Sequence, residues 1–476
     1  MKKTIKLLFA ALALASFSAC NDDNNEPAPE NPVAEVKLES TVPAEGATVI
    51  ASEVERIEIN FTGNVTLNPN VQATLNGRNV RLAANGKTVS LDVDLAAGTQ
   101  YSLVIPERMI IANKGLTYLP GMTLSFTTSE SATPGSHNFA PITNASATAQ
   151  ATNVYNFICE TSGKKIISGA MANVDNNNDF ADWIYSVSGK YPALTGYDFI
   201  HLADSKKGAW IDYSNIAPAR SQWEANGLVS YMWHWNVPDS EEAWRNNDTS
   251  KFGFNISGDN STSFDIREAL KEGTWQNQCI LADIDKVAGY LKALQEAGIP
   301  VLWRPLHEAA GNYAGGGAWF WWGRYGDQYV TELWKLMHDR LVNHHGLNNL
   351  IWVWTAQYQA GQADKMKASY PGDEYVDIVG IDLYEDNDNS QVEAYAAGLD
   401  LTSGRKPVSL SECGRVPSPD KCLSEGADWT WFMIWYTYDI KGSSATTDGF
   451  GNTAESLRAV MGNSRVITRD QMPSLK

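Results

Sequence analysis

Hydrophobic and polar positions change rhythm once along this chain, near residue 140, and the two rhythms predict two architectures. Between 35 and 128, apolar and polar residues alternate in short runs at 36–39, 57–61, 78–82, 89–93, 101–105 and 124–127, with turn residues between them. Alternation with period two sends one face inward and the other to water, so these runs read as half-buried strands. Asn85-Gly86 marks a hairpin between two of them, since a two-residue hairpin turn favours residues that accept positive φ. The region predicts a small antiparallel β-sandwich over 35–128, followed by a linker over 129–139 that contains Pro134-Gly135.

Beyond 140, wholly apolar runs alternate with amphipathic helical segments, which implies a parallel sheet covered by helices. Candidate strands fall at 165–171, 193–199, 228–235, 301–308, 350–355, 376–384, 408–412 and 429–436. Ile284, Val287, Leu291 and Leu294 stand at helical spacing within 281–297, and a second helix is expected over 329–342. Eight such units over 140–476 predict a (β/α)8 barrel, a TIM barrel in the α/β class, whose site gathers at the C-terminal strand ends.

Rings and carboxylates stand at those ends: Trp233-His234-Trp235, His307-Glu308, Asp382-Leu383-Tyr384, Ser411-Glu412-Cys413 and Trp435-Tyr436. Glu308 and Glu412 end strands four and seven, which face each other across an eight-stranded ring, so both carboxylates can address one bond. A glutamate at a buried strand tip is poorly solvated and its pKa rises, which suits a general acid. Trp319-Phe320-Trp321-Trp322, past a glycine-rich loop over 309–318, offers ring faces to the C–H faces of a sugar. The structural alternative for 301–323 is a buried Arg304–Glu308 ion pair over a core aromatic cluster. Asp377, Asp382 and Glu385 read as helix-facing or rim carboxylates.

Composition narrows the partners. The 476 residues carry a formal net charge of −18, which repels a phosphate backbone and argues against nucleic acid, whereas a neutral polysaccharide is compatible. Lys2, Lys3 and Lys6, an apolar run from Leu7 to Phe17 and small residues before Cys20 read as a secretory signal. Ser18-Ala19-Cys20 resembles a bacterial lipoprotein cleavage site, which implies removal of 1–19, lipidation of Cys20 and an outer-membrane anchor. The polar, acidic stretch over 20–34 reads as a disordered tether. It resembles surface-export signals of glycan-foraging Gram-negative bacteria, so the expected setting is the cell surface or the periplasmic face, beside other glycan-utilisation proteins. Cys159, Cys279, Cys413 and Cys422 have no metal-ligand spacing; Cys413 with Cys422 is the short-range disulfide candidate, and buried free thiols are the alternative.

Two resemblances follow from the residues quoted. Pro43-Ala44-Glu45-Gly46-Ala47 followed by Ile57-Glu58-Ile59-Asn60-Phe61 resembles the opening of bacterial immunoglobulin-like modules. Because no tryptophan precedes Trp183, that module reads as a spacer or docking unit rather than a sugar binder. RPLHE, then WFWWG, then SECG, with WHW upstream and an aromatic closing strand, resembles glycoside hydrolase family 26, best known for endo-β-1,4-mannanases.

That resemblance covers roughly 140–470. It implies a retaining double displacement on a β-mannan polysaccharide or oligosaccharide, with Glu308 as acid/base, Glu412 as nucleophile and no metal or organic cofactor. It also places His234 in the subsites of the glycone, the sugar that stays on the enzyme, and Trp435 under the sugar at the cleavage point. Of the remaining candidates, Trp235 belongs to the substrate-binding set, Tyr384 holds Glu412 through its phenol, and Arg304 gives electrostatic support. His307 either orients a substrate group or is a wall histidine. Trp319 and Trp322 are expected to stack at the leaving-group side, with Phe320 and Trp321 packing. The loops over 309–318 and 236–278 are expected to set preference, the second on the glycone side. The same fold acting on mixed-linkage glucan or xylan, and a glycan-binding lipoprotein without turnover, stand as alternatives.

Overall fold

The computed structural model describes residues 35–476 apart from 50–53, 55, 94, 97–98, 116, 129–136, 312–317, 362, 386 and 437–449. The expected signal peptide, tether and lipidated Cys20, most of the linker and the centre of the glycine-rich loop lie outside the described residues. The chain divides into two compact units, 1–131 and 132–476.

The N-terminal unit is all β. One sheet joins Leu38–Val42, Arg56–Phe61, Thr88–Asp92 and Ala83–Asn85, and another joins Thr48–Val49, Met122–Thr128, Gln100–Ile105, Ala73–Leu75 and Arg78–Val80. Alternation does what it predicts: along Arg56–Phe61 the inward Ile57, Ile59 and Phe61 are buried and meet Val89, Leu103, Leu124 and Phe126 in one core. Asn85 pairs with Thr88 across the Asn85-Gly86 turn, where Gly86 has φ of 60°.

The C-terminal unit is a closed parallel barrel. Its strands are β1 (Ile166–Met171), β2 (Leu194–Asp198), β3 (Leu228–Met232), β4 (Val301–Arg304), β5 (Leu350–Gln357), β6 (Ile378–Leu383), β7 (Val408–Cys413) and β8 (Trp431–Ile434). Each pairs with the next, and β8 and β2 both pair with β1, which closes the ring. Nearly every strand residue is buried, because helices cover one face and the opposite strands cover the other. The predicted helix over 281–297 starts earlier, as Trp275–Glu296 capped by Thr274, and buries Ile284, Val287, Leu291 and Leu294.

All eight predicted strands are present, but five overrun their observed C-terminal ends. The strand expected over 301–308 stops at Arg304, because Pro305 lacks the N–H that would continue the ladder, and the strand over 228–235 stops at Met232. Residues 137–139, expected in the linker, pack on the barrel unit, where His137 hydrogen-bonds Asp428 at 3.0 Å. All four cysteines among the described residues are free thiols, so the Cys413–Cys422 bridge is not formed.

Small residues leave room inside the barrel. A Cβ on Gly380 of β6 would lie 2.4 Å from Ser411 Oγ and 2.5 Å from Thr355 Oγ1. Gly380→Val is therefore expected to destabilise the barrel by roughly 1–3 kcal/mol through overpacking, read from denaturant unfolding followed by tryptophan fluorescence.

Candidate active site

The site is built at the ends of β2 to β8, and its centre is a buried guanidinium. Arg304, the last residue of β4, reaches across the barrel mouth: Nη1 donates to Asp382 Oδ2 at 2.9 Å and Nη2 donates to Glu412 Oε1. Asp382 and Glu412 face each other as register partners on β6 and β7; the partners of Ile381 and Asp382 are Leu410 and Glu412, so Ser411 is an extra residue on β7 that re-aims the β7 strand end. The structural alternative, an Arg304–Glu308 ion pair, does not form; Arg304 pairs with Asp382 and Glu412 instead. Asp382 was read as a rim or helix-facing group; it is instead fully buried beneath the site.

Beyond Arg304 the chain turns sharply, with Leu306 at φ of 51° and Glu308 at φ of 50°. Two non-glycine residues in the left-handed region within three positions are unusual, and they throw Glu308 over the barrel mouth. The bend is held by the Glu308 N–H, which donates to the Thr355 carbonyl of β5 at 3.1 Å. One carboxylate oxygen each of Glu308, Asp382 and Glu412 lie within 4.8 Å of one another. Burial, and then the charge of Glu412, push the Glu308 carboxyl up to about 7. Glu412 accepts from Arg304 on one oxygen and from the Tyr384 hydroxyl, at 2.6 Å, on the other. Two donors, one of them charged, hold both of its oxygens and fix its orientation. Tyr384 is 40% exposed, its ring open at the cleft while its hydroxyl points inward.

A histidine wall flanks this centre. His234 follows β3, and its Nδ1 lies 2.6 Å from Asp198 Oδ2 while its backbone N–H donates to Asp198 Oδ1 at 3.0 Å. Burial disfavours the charged ring, but the charge and hydrogen bond of Asp198 outweigh it and the His234 pKa rises. The His307 ring crosses that of His234 at 4.6 Å; burial, then the charges of His234 and Arg304, hold it well below the usual range, so it is neutral. His307 is fully buried, and its Nδ1 has no partner among the described residues. Trp435, partly buried after β8, lies 5.9 Å from His234.

The tryptophans divide differently from the expectation. Trp319 is 40% exposed and donates to Gln357 at 3.1 Å, so its ring is available at the cleft. Trp322 is fully buried and donates to the His307 carbonyl at 3.0 Å, so it braces the wall from behind instead of stacking on a sugar. Trp235 is likewise buried, stacked on Trp233 at 4.0 Å and bonded to Asp283, and presents no face to substrate. Both were expected to bind substrate; tight ring packing, which a sequence does not display, puts them in the core. Phe320 and Trp321 pack, as expected. Gly323, the last residue of WFWWG, has no room for a Cβ, which would fall 1.7 Å from the Ala309 carbonyl oxygen.

The loop over 236–278 reaches His234 through Phe254, but it also pairs with the Trp319–Trp321 backbone and accepts hydrogen bonds from Arg324. It is therefore not confined to the glycone side. Asp198 is the functional residue that sequence reasoning missed; the signal was a lone carboxylate ending β2, one of three strand ends, with β1 and β5, to which no chemistry was assigned. The site thus combines an up-shifted acid, a second carboxylate held by two donors within reach of the same atom, and an open aromatic cleft.

The profile of glycosyl hydrolase family 26 matches residues 143–471. The chain belongs to that family. A bacterial Ig-like domain profile matches 33–128. A mannan endo-1,4-beta-mannosidase of Thermothelomyces thermophilus is 31% identical, with 99% of each chain aligned. Mannan endo-1,4-beta-mannosidase B of Piromyces sp is 34% identical over 70% of this chain and 53% of its own, so the chain spans about half of that relative. Among solved structures, the family 26 domain of an endo-β-mannanase/endo-β-glucanase from Prevotella bryantii superposes with a TM-score of 0.62 at 38% identity, covering 70% of this chain and 98% of that one. A β-mannanase from a symbiotic protist of the termite Reticulitermes speratus, complexed with gluco-manno-oligosaccharide, gives 0.60 at 34% identity over 71% and 99%.

Two outcomes are expected of this family 26 site. Tyr384→Phe removes a hydrogen bond to a charged group, worth ~1.5–3 kcal/mol, and lowers kcat/KM roughly 10- to 150-fold. In the wild type, kcat/KM falls as pH rises through about 7, because the acid form of Glu308 is then lost. Initial rates across pH check both.

Proposed function

We propose that the chain is an endo-acting, retaining β-mannanase that hydrolyses internal β-1,4-mannosidic bonds of mannan, glucomannan or galactomannan. The observation that carries the reading is the pair Glu308 and Glu412: oxygens within 4.8 Å, one carboxyl lifted to about 7 and the other pinned by Arg304 and Tyr384. A close pair suits direct attack, whereas inversion needs a wider gap of ~6.5–9.5 Å to seat a water. The mannanase names of the relatives support the sugar, and the gluco-manno-oligosaccharide in the protist enzyme supports tolerance of glucosyl units.

In the first step a Glu412 oxygen attacks the anomeric carbon as the glycosidic C–O bond breaks. Glu308 gives its proton to the departing oxygen, and the shortened chain leaves as an alcohol. Glu308 is now a carboxylate. In the second step it takes a proton from water, whose oxygen attacks the same carbon and releases Glu412. Both carboxyls return to their starting states, and two inversions leave the configuration retained. The negative charge that attack removes from the Glu412 carboxylate returns to it in the second step, where Tyr384 and Arg304 stabilise it by hydrogen bonding.

Lipidation at Cys20 and residence at the outer membrane belong to the same proposal. Their support is the apolar run ending at Ser18-Ala19-Cys20 and the acidic stretch after it.

Reducing-sugar release on linear mannan, galactomannan, mixed-linkage glucan and xylan tests the reading. Release from the mannans, lost in Glu412→Ala, is expected; release from glucan or xylan alone overturns the sugar, and release from none overturns catalysis. Glu308→Ala should cost ~10²–10⁴-fold on mannan but far less on an aryl mannoside, whose leaving group departs without a proton. Cys20→Ala is expected to move the protein from the membrane to the soluble fraction of its host.

A further inference from the structure

The loop after β2, residues 199–216, leaves at the C-terminal face of the barrel and carries the most exposed of the large hydrophobic side chains described: Trp210, 64% accessible. Leaving a tryptophan in water forgoes much of the stabilisation its burial would bring, and a mobile loop would fold it away. This loop does not let it. The Lys206 N–H donates to the Ile211 carbonyl at 3.1 Å, and Ala209 N–H to the Lys206 carbonyl at 3.0 Å, closing the turn on both sides of Trp210. Asp212 accepts from the backbone of Gly208 at 2.7 Å and of Ser214 at 3.0 Å, and the Tyr213 N–H donates to Ser205 Oγ at 3.0 Å. The ring is held out by a loop with its polar groups already paired.

One edge of the ring is supported. His201 meets Trp210 at 4.9 Å in an edge-to-face contact, and the His201 backbone N–H donates to the Tyr213 hydroxyl at 3.1 Å. His201 follows Asp198 by three residues on the same strand end, and Asp198 holds His234 of the catalytic wall. Asn236, two residues beyond His234, donates to the Ile200 carbonyl at 2.6 Å and ties the loop to that wall. Trp210 therefore stands on the barrel face that carries the active site, at β2. Trp319, the exposed ring near the acid/base, stands across the ring beside Gln357 of β5.

We propose that Trp210, braced by His201, is a sugar-stacking platform for a distal glycone unit of the polysaccharide, several residues from the scissile bond. Its ligand class is a β-1,4-linked hexopyranosyl chain, whose axial C–H groups present an apolar face to an indole. This rests on the glycan substrate of the proposed function and adds where the far end of the chain is held. Two rings on opposite sides of the mouth grip the chain at both ends of the cleft, and the glycone end then requires a minimum chain length.

The test separates this from the substrate reading. Glu412→Gln, and Glu412→Gln with Trp210→Ala, are titrated calorimetrically with a length series of oligosaccharides of whichever β-glycan the hydrolysis panel identifies, mannan being expected. Loss of one aromatic contact should weaken binding of the longest oligosaccharide roughly 2- to 12-fold, leave the disaccharide unchanged, and be largely restored by Trp210→Tyr. Equal affinities of the two proteins for every length overturn the platform, as does a loss of the same size for every length. In the active background, Trp210→Ala is expected to raise KM for the polymer while kcat stays the same; a fall in kcat alone would also overturn it.

Discussion

The guanidinium of Arg304 is the constraint on which the site depends. A buried cation is costly unless its field is matched, and here two buried carboxylates, Asp382 and Glu412, match it from neighbouring strands. Three acidic groups crowd one cation, so one of them must stay protonated. Burial and the neighbouring carboxylates raise both Glu308 and Asp382, Asp382 in spite of its contact with Arg304, whereas Glu412 takes a donor on each oxygen, Arg304 on one and Tyr384 on the other. The division of labour between donor and nucleophile is thus set by the burial of the acid and by the two donors that converge on the nucleophile.

The barrel supplies the distances. Glu308 and Glu412 come from strands on opposite sides of the ring, and the extra residue Ser411 in β7 puts Glu412 level with Asp382. The outer tryptophans make the arrangement stiff. Trp322 and Trp321 donate to backbone carbonyls of His307 and Trp235, so the aromatic segment after the glycine-rich loop clamps both strand ends that carry the histidines. What looks like a sugar-binding surface in sequence is in part a brace for the chemistry.

Much of this was legible in the chain. Period-two alternation located the sandwich, the apolar runs located all eight barrel strands, and strand-end position picked out Glu308, Glu412, His234, Tyr384 and Arg304. What was not legible depends on packing or on backbone turns. Trp235 and Trp322 are indistinguishable by sequence from Trp319, yet ring contacts from other strands bury two and leave the third open. Asp382 and Trp435 sit at comparable strand ends, yet only the folded barrel, where Asp382 follows Gly380 on the inner face of β6, shows Asp382 to be buried while Trp435 is only partly so. Asp198 carries no motif at all; its role exists only because β2 and β3 are neighbours.

The pair of left-handed residues at Leu306 and Glu308 has one further consequence. Neither is glycine, so the chain gives up conformational comfort at the two positions that aim the acid. The direction of the proton donor is consequently written into the main chain and not into a side-chain rotamer. A rotamer is lost and regained in picoseconds to nanoseconds, whereas a backbone bend locked to β5 persists through many turnovers. Copying RPLHE onto a straight strand would transplant the letters without the aim.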